Sequence, residues 1–236
     1  TMQITPIHTR VFQEKEDLSA FIAAHIASVS EKTVLTVSSK LVCLWKGRSV
    51  PYESLAQKER LIQQESDAAL HTPLAWLTIK SGMMMTNAGI DESNADGKLL
   101  LLPEDCYAGA AELRAELQKK WGVKELGVII TDSMILPLRA GVIGAAVAYS
   151  GFKGVKDFRG RPDIFGKKLT VTLVDAADAL AAASALTMGE AAEQCPLCLV
   201  TGAPVEFVDQ TTPDEIKYPP QDDLYTPLLR AAKLIK

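Results

Sequence analysis

Strand-like and helix-like runs follow one another along this sequence, and together they predict an α+β fold of mixed sheets with flanking helices. Apolar runs rich in β-branched residues recur at residues 33–42, 126–130, 169–173 and 197–201, the signature of buried strands. Helical periodicity marks other segments. Leu18, Phe21, Ile22, Ile26 and Val29 share one face over residues 14–29, and Leu113 and Leu117 line another over residues 103–120. No internal repeat, low-complexity linker or domain boundary interrupts residues 1–236, so the chain reads as a single unit.

Composition narrows the function classes. A length of 236 residues suffices for one large domain or two small ones with a sizeable core. Lys plus Arg number 25 against 29 Asp plus Glu, a net charge of −4. That balance argues against a nucleic-acid backbone binder while leaving room for a local basic pocket. No run of about 18 apolar residues is present, so no membrane span is expected. The first residues lack the basic and apolar regions of a secretory signal, and Thr1 ahead of Met2 reads as a cloning remnant. Four cysteines are too few for a disulfide framework and suit a reducing, cytoplasmic location. Cys195 and Cys198 have redox or zinc spacing but no second ligand pair. They run into the strand-like Leu199-Val200, so both are expected to be buried.

In chain order, residues 3–12 read as a strand and turn. The helix over residues 14–29 carries His25 beside Phe21 and Ile22, a packed or edge histidine. The β-rich run at 33–42 is interrupted by Ser38-Ser39-Lys40, small hydroxyls and a cation that make a plausible anion cradle or an ordinary strand edge. Residues 54–69 are polar and permit a helix, and 74–79 form a short strand. The run at 126–130 ends in Thr131-Asp132-Ser133, which places a carboxylate and two hydroxyls at the carboxyl end of a strand. Residues 140–154 are rich in Gly and Ala, as close backbone packing requires. Arg159 and Arg161 either serve an anionic ligand or pair with Asp157 and Asp163. An Ala-rich helix over residues 175–193 carries Gly189-Glu190 near its end. Residues 209–227 are irregular, and a short helix closes the chain at 228–235.

The stretch Asn87-Ala-Gly-Ile-Asp-Glu-Ser-Asn94 stands out. Asp91 to Asn94 brings two carboxylates, a hydroxyl and a carboxamide together, between the apolar Met83–Met85 and the run at 99–102. These residue types favour turns, and they are also the oxygen donors that hard cations prefer. Asp91, Asp132 and Glu190 lie on separate segments. Converged, they would hold one or two divalent ions and a nucleotide; apart, they are solvated surface acids.

The same motifs carry a resemblance. The stretch 87–94, then Leu-Leu-Pro-Glu-Asp, Val-Ile-Ile-Thr-Asp-Ser and Asp-Phe-Arg-Gly-Arg-Pro-Asp-Ile-Phe-Gly, resembles the coenzyme F420-0:gamma-glutamyl ligase family from about residue 33 to about residue 202. The resemblance implies a two-lobed subunit, a homodimer and amide-bond formation, in which GTP phosphorylates an acceptor carboxylate and the amine of L-glutamate displaces the phosphate. It places Asp91 and Asp132 on one Mg2+ or Mn2+ ion, and Ser133 and Glu190 on a second. It also implies nucleotide contacts for Ser39, Lys40, Asn94 and the segment from Met188 to Cys195, Met188, Gly189 and Glu190 among them, and catalytic work for Asp91, Asp132 and Arg139.

Two departures bear on the acceptor. Residues 134–139 read Met-Ile-Leu-Pro-Leu-Arg where the family has Phe-Gly-Arg-Pro-Trp-Arg, losing an Arg and a Trp but keeping Pro137 and Arg139. Leu44 stands where a second Lys is usual, with Lys46 nearby. The expectation is retained nucleotide chemistry with an altered acceptor, folate-like in place of F420-0, unless residues 134–138 simply pack the core beneath the metal site. A non-catalytic relative that binds a nucleotide or glutamylated cofactor is the alternative from another class.

Overall fold

The computed structural model describes residues 1–235. In chain order the elements are β1 (Gln3–Ile7), α1 (Leu18–His25), β2 (Thr33–Ser38), α2 (Ser39–Trp45), β3 (Ser49–Pro51), α3 (Leu55–Gln64), β4 (Ala68–His71), β5 (Trp76–Lys80) and β6 (Met83–Thr86). There follow β7 (Lys98–Leu100), α4 (Cys106–Trp121), β8 (Leu126–Ile135), β9 (Val142–Ser150), β10 (Val155–Asp157), β11 (Leu173–Asp175), α5 (Ala176–Met188), β12 (Leu197–Thr201) and α6 (Thr226–Ala231). The mixed α+β class is as the sequence predicts.

A five-stranded sheet in the order β1-β12-β2-β8-β9 forms the body, with β2 and β8 parallel and the other pairs antiparallel. Alternation along its strands loads both faces. Leu35, Val37, Val128 and Ile130 pack under α1, α2 and α4, while Val34, Ile129 and Val200 pack under α5. The three-stranded sheet β4-β5-β6 and the β3–β7 pair build a smaller region. There the run at 99–102 also alternates: Leu100 and Leu102 join Met85 and Cys43, whereas Leu99 and Leu101 join Ile62 and Ile90.

Several boundaries differ from the sequence reading. The helix expected over 14–29 begins only after Asp17, whose carboxylate accepts the Ala20 N–H at 2.9 Å, and ends where Ile26 turns extended. His25 is packed as expected, its ring 4.5 Å from that of Phe21 and its Nδ1 donating to the Phe21 carbonyl at 2.8 Å. The run 33–42 is not one strand, because β2 stops at Ser38 and α2 starts at Ser39. Asp132 does not close its strand either; the antiparallel partner β9 carries β8 on to Ile135. The strand expected at 169–173 is shifted to β11, with residues 158–172 forming the outer part of a hairpin. Glu190 is not helical. Gly189, with φ +82°, ends α5 before it. The closing helix lies at Thr226–Ala231, not at 228–235.

Gly144 permits α5 to lie directly on β9. A Cβ there would fall 2.5 Å from Ala185 Cβ and 2.7 Å from the Ala181 carbonyl oxygen. Gly144→Ala is therefore expected to lower stability by about 1–3 kcal/mol through overpacking. An unchanged urea midpoint would contradict this account of the contact.

Candidate functional site

The site starts where the parallel pair ends. Ser38 is paired with Thr131, after which β2 turns into α2 and β8 runs on beside β9 alone. The register of β8 and β9 shifts between Ile130 and Thr131, an irregularity of the kind that re-aims the side chains after it. Ser39 and Lys40 thus emerge next to Asp132 and Ser133. Adjacent strand residues point to opposite faces, so Asp132 meets α2 while Ser133 meets the segment after α5.

Asp91 arrives from the smaller region on a braced turn. Asn87, Ala88 and Gly89 all have positive φ, at 53°, 54° and 71°. The Asn87 carboxamide oxygen accepts the Trp76 N–H at 3.0 Å, and Thr78 Oγ1 accepts the Ala88 N–H at 2.9 Å. Asp91 and Leu100 then exchange backbone bonds of 3.1 and 2.8 Å. Glycine is needed at 89 because a Cβ would lie 2.4 Å from Leu102 Cδ1 and 3.3 Å from Asp132 Oδ2.

These elements bring the expected residues together. Ser39 Oγ donates to Asp132 Oδ1 at 3.1 Å, and Lys40 Nζ forms an ion pair with Asp91 Oδ2. The Ser93 N–H donates to Asp91 Oδ1 at 2.7 Å. Burial works to raise the Asp91 carboxyl, but Lys40 and the hydrogen bonds outweigh it and hold the group below the usual carboxylate range. At Asp132 burial wins. Its carboxyl is pushed up to about 6, although Lys40, the Ser133 N–H and Ser39 all act the other way. One lysine serves two neighbouring carboxylates, and that charge deficit is what a divalent cation matches.

Ser133 Oγ donates to Glu190, 3.0 Å from Oε1 and 2.9 Å from Oε2. Asn94 Nδ2 donates to the Ala191 carbonyl at 2.9 Å, tying the central loop to the segment after α5. Lys40, Asn94, Asp132, Ser133, Met188, Gly189 and Glu190 all line a cleft of about 580 Å³. Among the described residues no group of three or more His, Cys, Asp or Glu side chains converges on a metal position. The oxygen donors come instead as two pairs, Asp91 with Asp132 and Ser133 with Glu190.

Arg139 stands outside this lining, exposed in the turn between β8 and β9. The alternative that residues 134–138 fill the core is corrected. Ile135 and Leu136 are each 38% exposed and Leu138 is fully exposed, because β8 and β9 run past β2 as a two-stranded ribbon. One lining segment, residues 9–12, carries no signal in the sequence; its Thr9 N–H donates to the Gln194 carbonyl at 2.9 Å. Residues 191–195, in the segment that the resemblance assigns to the nucleotide, line the cleft as well, with Pro196 after them. Cys198 is buried as expected. Cys195 is not; it is half-buried and lines the cleft, and both thiols are free. Nothing in the composition of residues 9–12 marks them, since their place follows from β1 pairing with β12.

Comparison with known proteins follows the same ground. Residues 6–202 match the family described as F420-0:Gamma-glutamyl ligase. The chain is 33% identical over 227 residues to a Methanopyrus kandleri protein named Coenzyme F420:L-glutamate ligase, covering 88% of this chain and 89% of that one. A protein of the same name from Methanococcus maripaludis is 33% identical over 204 residues, covering 85% and 82%. Another from Archaeoglobus fulgidus is 33% identical over 210 residues, covering 81% and 84%.

The position of Cys195 supplies a probe of the cleft. Its alkylation by iodoacetamide is expected to slow when GTP and Mn2+ are added, and Cys195→Ser should abolish that protected labelling. Labelling at an unchanged rate with saturating nucleotide would place the nucleotide elsewhere.

Proposed function

The chain belongs to the F420-0:gamma-glutamyl ligase family and is a ligase, and from that premise we propose that it joins L-glutamate to an acceptor carboxylate through an acyl phosphate formed with GTP. The observation that carries this reading is the convergence of Lys40, Asp132, Ser133 and Glu190, from three separate segments, on one cleft, with Asp91 from a fourth held against it by its ion pair to Lys40.

Two cations, Mg2+ or Mn2+, fit the donor chemistry. Asp91 and Asp132 would hold one, Ser133 and Glu190 the other, all through hard oxygen atoms. When bound, such ions neutralise charge building on a transferring phosphoryl group. The chain's own residues do the rest. Ser39, Lys40 and Asn94 donate hydrogen bonds to the triphosphate oxygens, Lys40 also offsetting their charge, and the segment from Met188 to Glu190 walls the nucleotide. Held in line, the acceptor carboxylate oxygen attacks the γ-phosphorus and GDP leaves. The amine of glutamate then attacks the acyl carbon, expelling phosphate and losing a proton. Positioning and electrostatics account for most of the acceleration in phosphoryl transfer.

The acceptor lies against the ribbon beyond Ser133. Its exposed Ile135, Leu136 and Leu138 offer apolar contact to a flat ring, and Arg139 in the ribbon turn meets an anionic group. This surface favours a carboxylate on a flat heterocycle, with a folate as the alternative to F420-0. A homodimer would cover apolar surface such as Ile164 and Phe165, 92% and 88% exposed at a hairpin tip.

Labelled glutamate, GTP and Mn2+ or Mg2+ incubated with F420-0 and with a folate, and read by mass spectrometry, test the proposal. Amide product with release of GDP is expected, with higher kcat/KM for the folate. Efficient use of F420-0 alone would defeat the altered acceptor, and no product with either would defeat the ligation.

Asp91→Asn and Asp132→Asn should each leave a folded protein whose metal-dependent GTP affinity falls at least about tenfold, because each removes an anionic ligand. Glu190→Ala should fail in the same sense, with residual binding. Calorimetry showing wild-type affinity in both Asn variants would remove the metal assignment.

A further inference from the structure

A second cleft, of about 710 Å³, lies at the base of the hairpin formed by β10 and β11. It sits at the other end of the five-stranded sheet. Ser133, in the first cleft, is opposite Gly144, and β9 then runs to Ser150 before the chain reaches Lys153, Lys156 and Arg161 in the second. At about 3.3 Å per strand residue the two clefts are roughly 20 Å apart. The second cleft is therefore no extension of the nucleotide site.

Four cations line it. Glu206 pairs with Lys153 at 2.7 Å, and Asp157 pairs with Arg159 at 2.6 Å. Among the described residues, neither Lys156 nor Arg161 has a carboxylate within ion-pair distance. Both stand over the Phe158 ring, Lys156 Nζ at 5.8 Å and Arg161 Cζ at 5.1 Å from its centroid. Backbone bonds hold this arrangement. Lys156 is paired with Val174, the Arg161 N–H donates to the Phe158 carbonyl at 3.1 Å, and the Arg161 carbonyl accepts the Leu169 N–H at 2.9 Å. The other acid in the lining, Glu215, is tied through Oε2 to the Tyr149 hydroxyl at 2.8 Å and the Gly154 N–H at 2.7 Å. Val155, Leu173 and Val205 supply apolar wall.

We propose that this cleft binds a small organic dianion on a flat apolar body, its charged group between Lys156 and Arg161 and its body against Phe158 and the wall. Two cations without carboxylate partners, on a hydrogen-bonded frame, offer charge-assisted bonds with little ordering cost. An aromatic face beside aliphatic side chains receives a ring. A cationic ligand would find two like charges.

Phosphate monoesters and dicarboxylates share this chemistry, and an amide-resolved NMR titration of the full chain separates them. The probes are phenyl phosphate, phthalate and, as the cationic control, benzylamine. Saturable shifts at Gly154, Lys156, Phe158 and Arg161 are expected with at least one dianion and not with benzylamine. The amides of Asn94 and Gly189 should stay in place. The tighter of the two dianions identifies the charged group. Lys156→Ala and Arg161→Ala, both surface changes, should each weaken binding about tenfold with the remaining spectrum preserved. The proposal is overturned if neither dianion saturates, if benzylamine shifts the same amides equally, or if the double variant binds as the wild type does.

Discussion

Asp91 and Asp132 lie near enough to act on one another in a partly buried place with a single lysine close to both, and the rest of the site depends on that arrangement. Lys40 is bonded to Asp91 and acts on Asp132 as well, yet burial still drives the Asp132 carboxyl up to about 6. Two carboxylates in such surroundings are stabilised by a matching positive charge or by a proton. The surrounding backbone is organised to keep them there. Three left-handed residues deliver Asp91, a glycine lets the turn press against Asp132, and the end of the parallel strand pair presents Ser39 beside it.

The same topology explains why the site has two halves. β8 outruns β2, so Asp132 and Ser133 stand on a ribbon with one face toward α2 and the other toward the segment after α5. Termination of α5 at Gly189 is what frees Glu190 to reach Ser133. Asn94 ties that segment to the central loop. Changes in any one of these backbone features would therefore be felt across the cleft, even where no ligand-facing residue is altered.

Much of this was legible in the sequence, and the misses are instructive. Leu197–Thr201 and the run beginning at Leu126 read as strands because unbroken β-branched runs have few other uses. The acids at 91, 132 and 190 are visible as chemistry, but the bonds that place them, Lys40 to Asp91 and Ser133 to Glu190, join residues 51 and 57 positions apart, and no local pattern encodes that. Ser38-Ser39-Lys40 reads as a break in a strand, whereas apolar Leu41 and Val42 suit a helix face equally well, and packing decides between them. Asp132 looked like a strand end because its polarity interrupts the run; pairing with β9 overrides that. The lining by residues 9–12 depends on which strand neighbours which, and is tertiary information throughout.

The central claim is that the two oxygen pairs are cation positions serving a nucleotide. Crystals grown with Mn2+ and a non-hydrolysable GTP analogue, measured for anomalous scattering from manganese, test it most directly. The account predicts one manganese peak between Asp91 and Asp132, with Lys40 moved from Asp91 toward the phosphates, and a second peak between Ser133 and Glu190. Bound nucleotide with the Lys40–Asp91 pair intact, and no manganese at either pair, would contradict it.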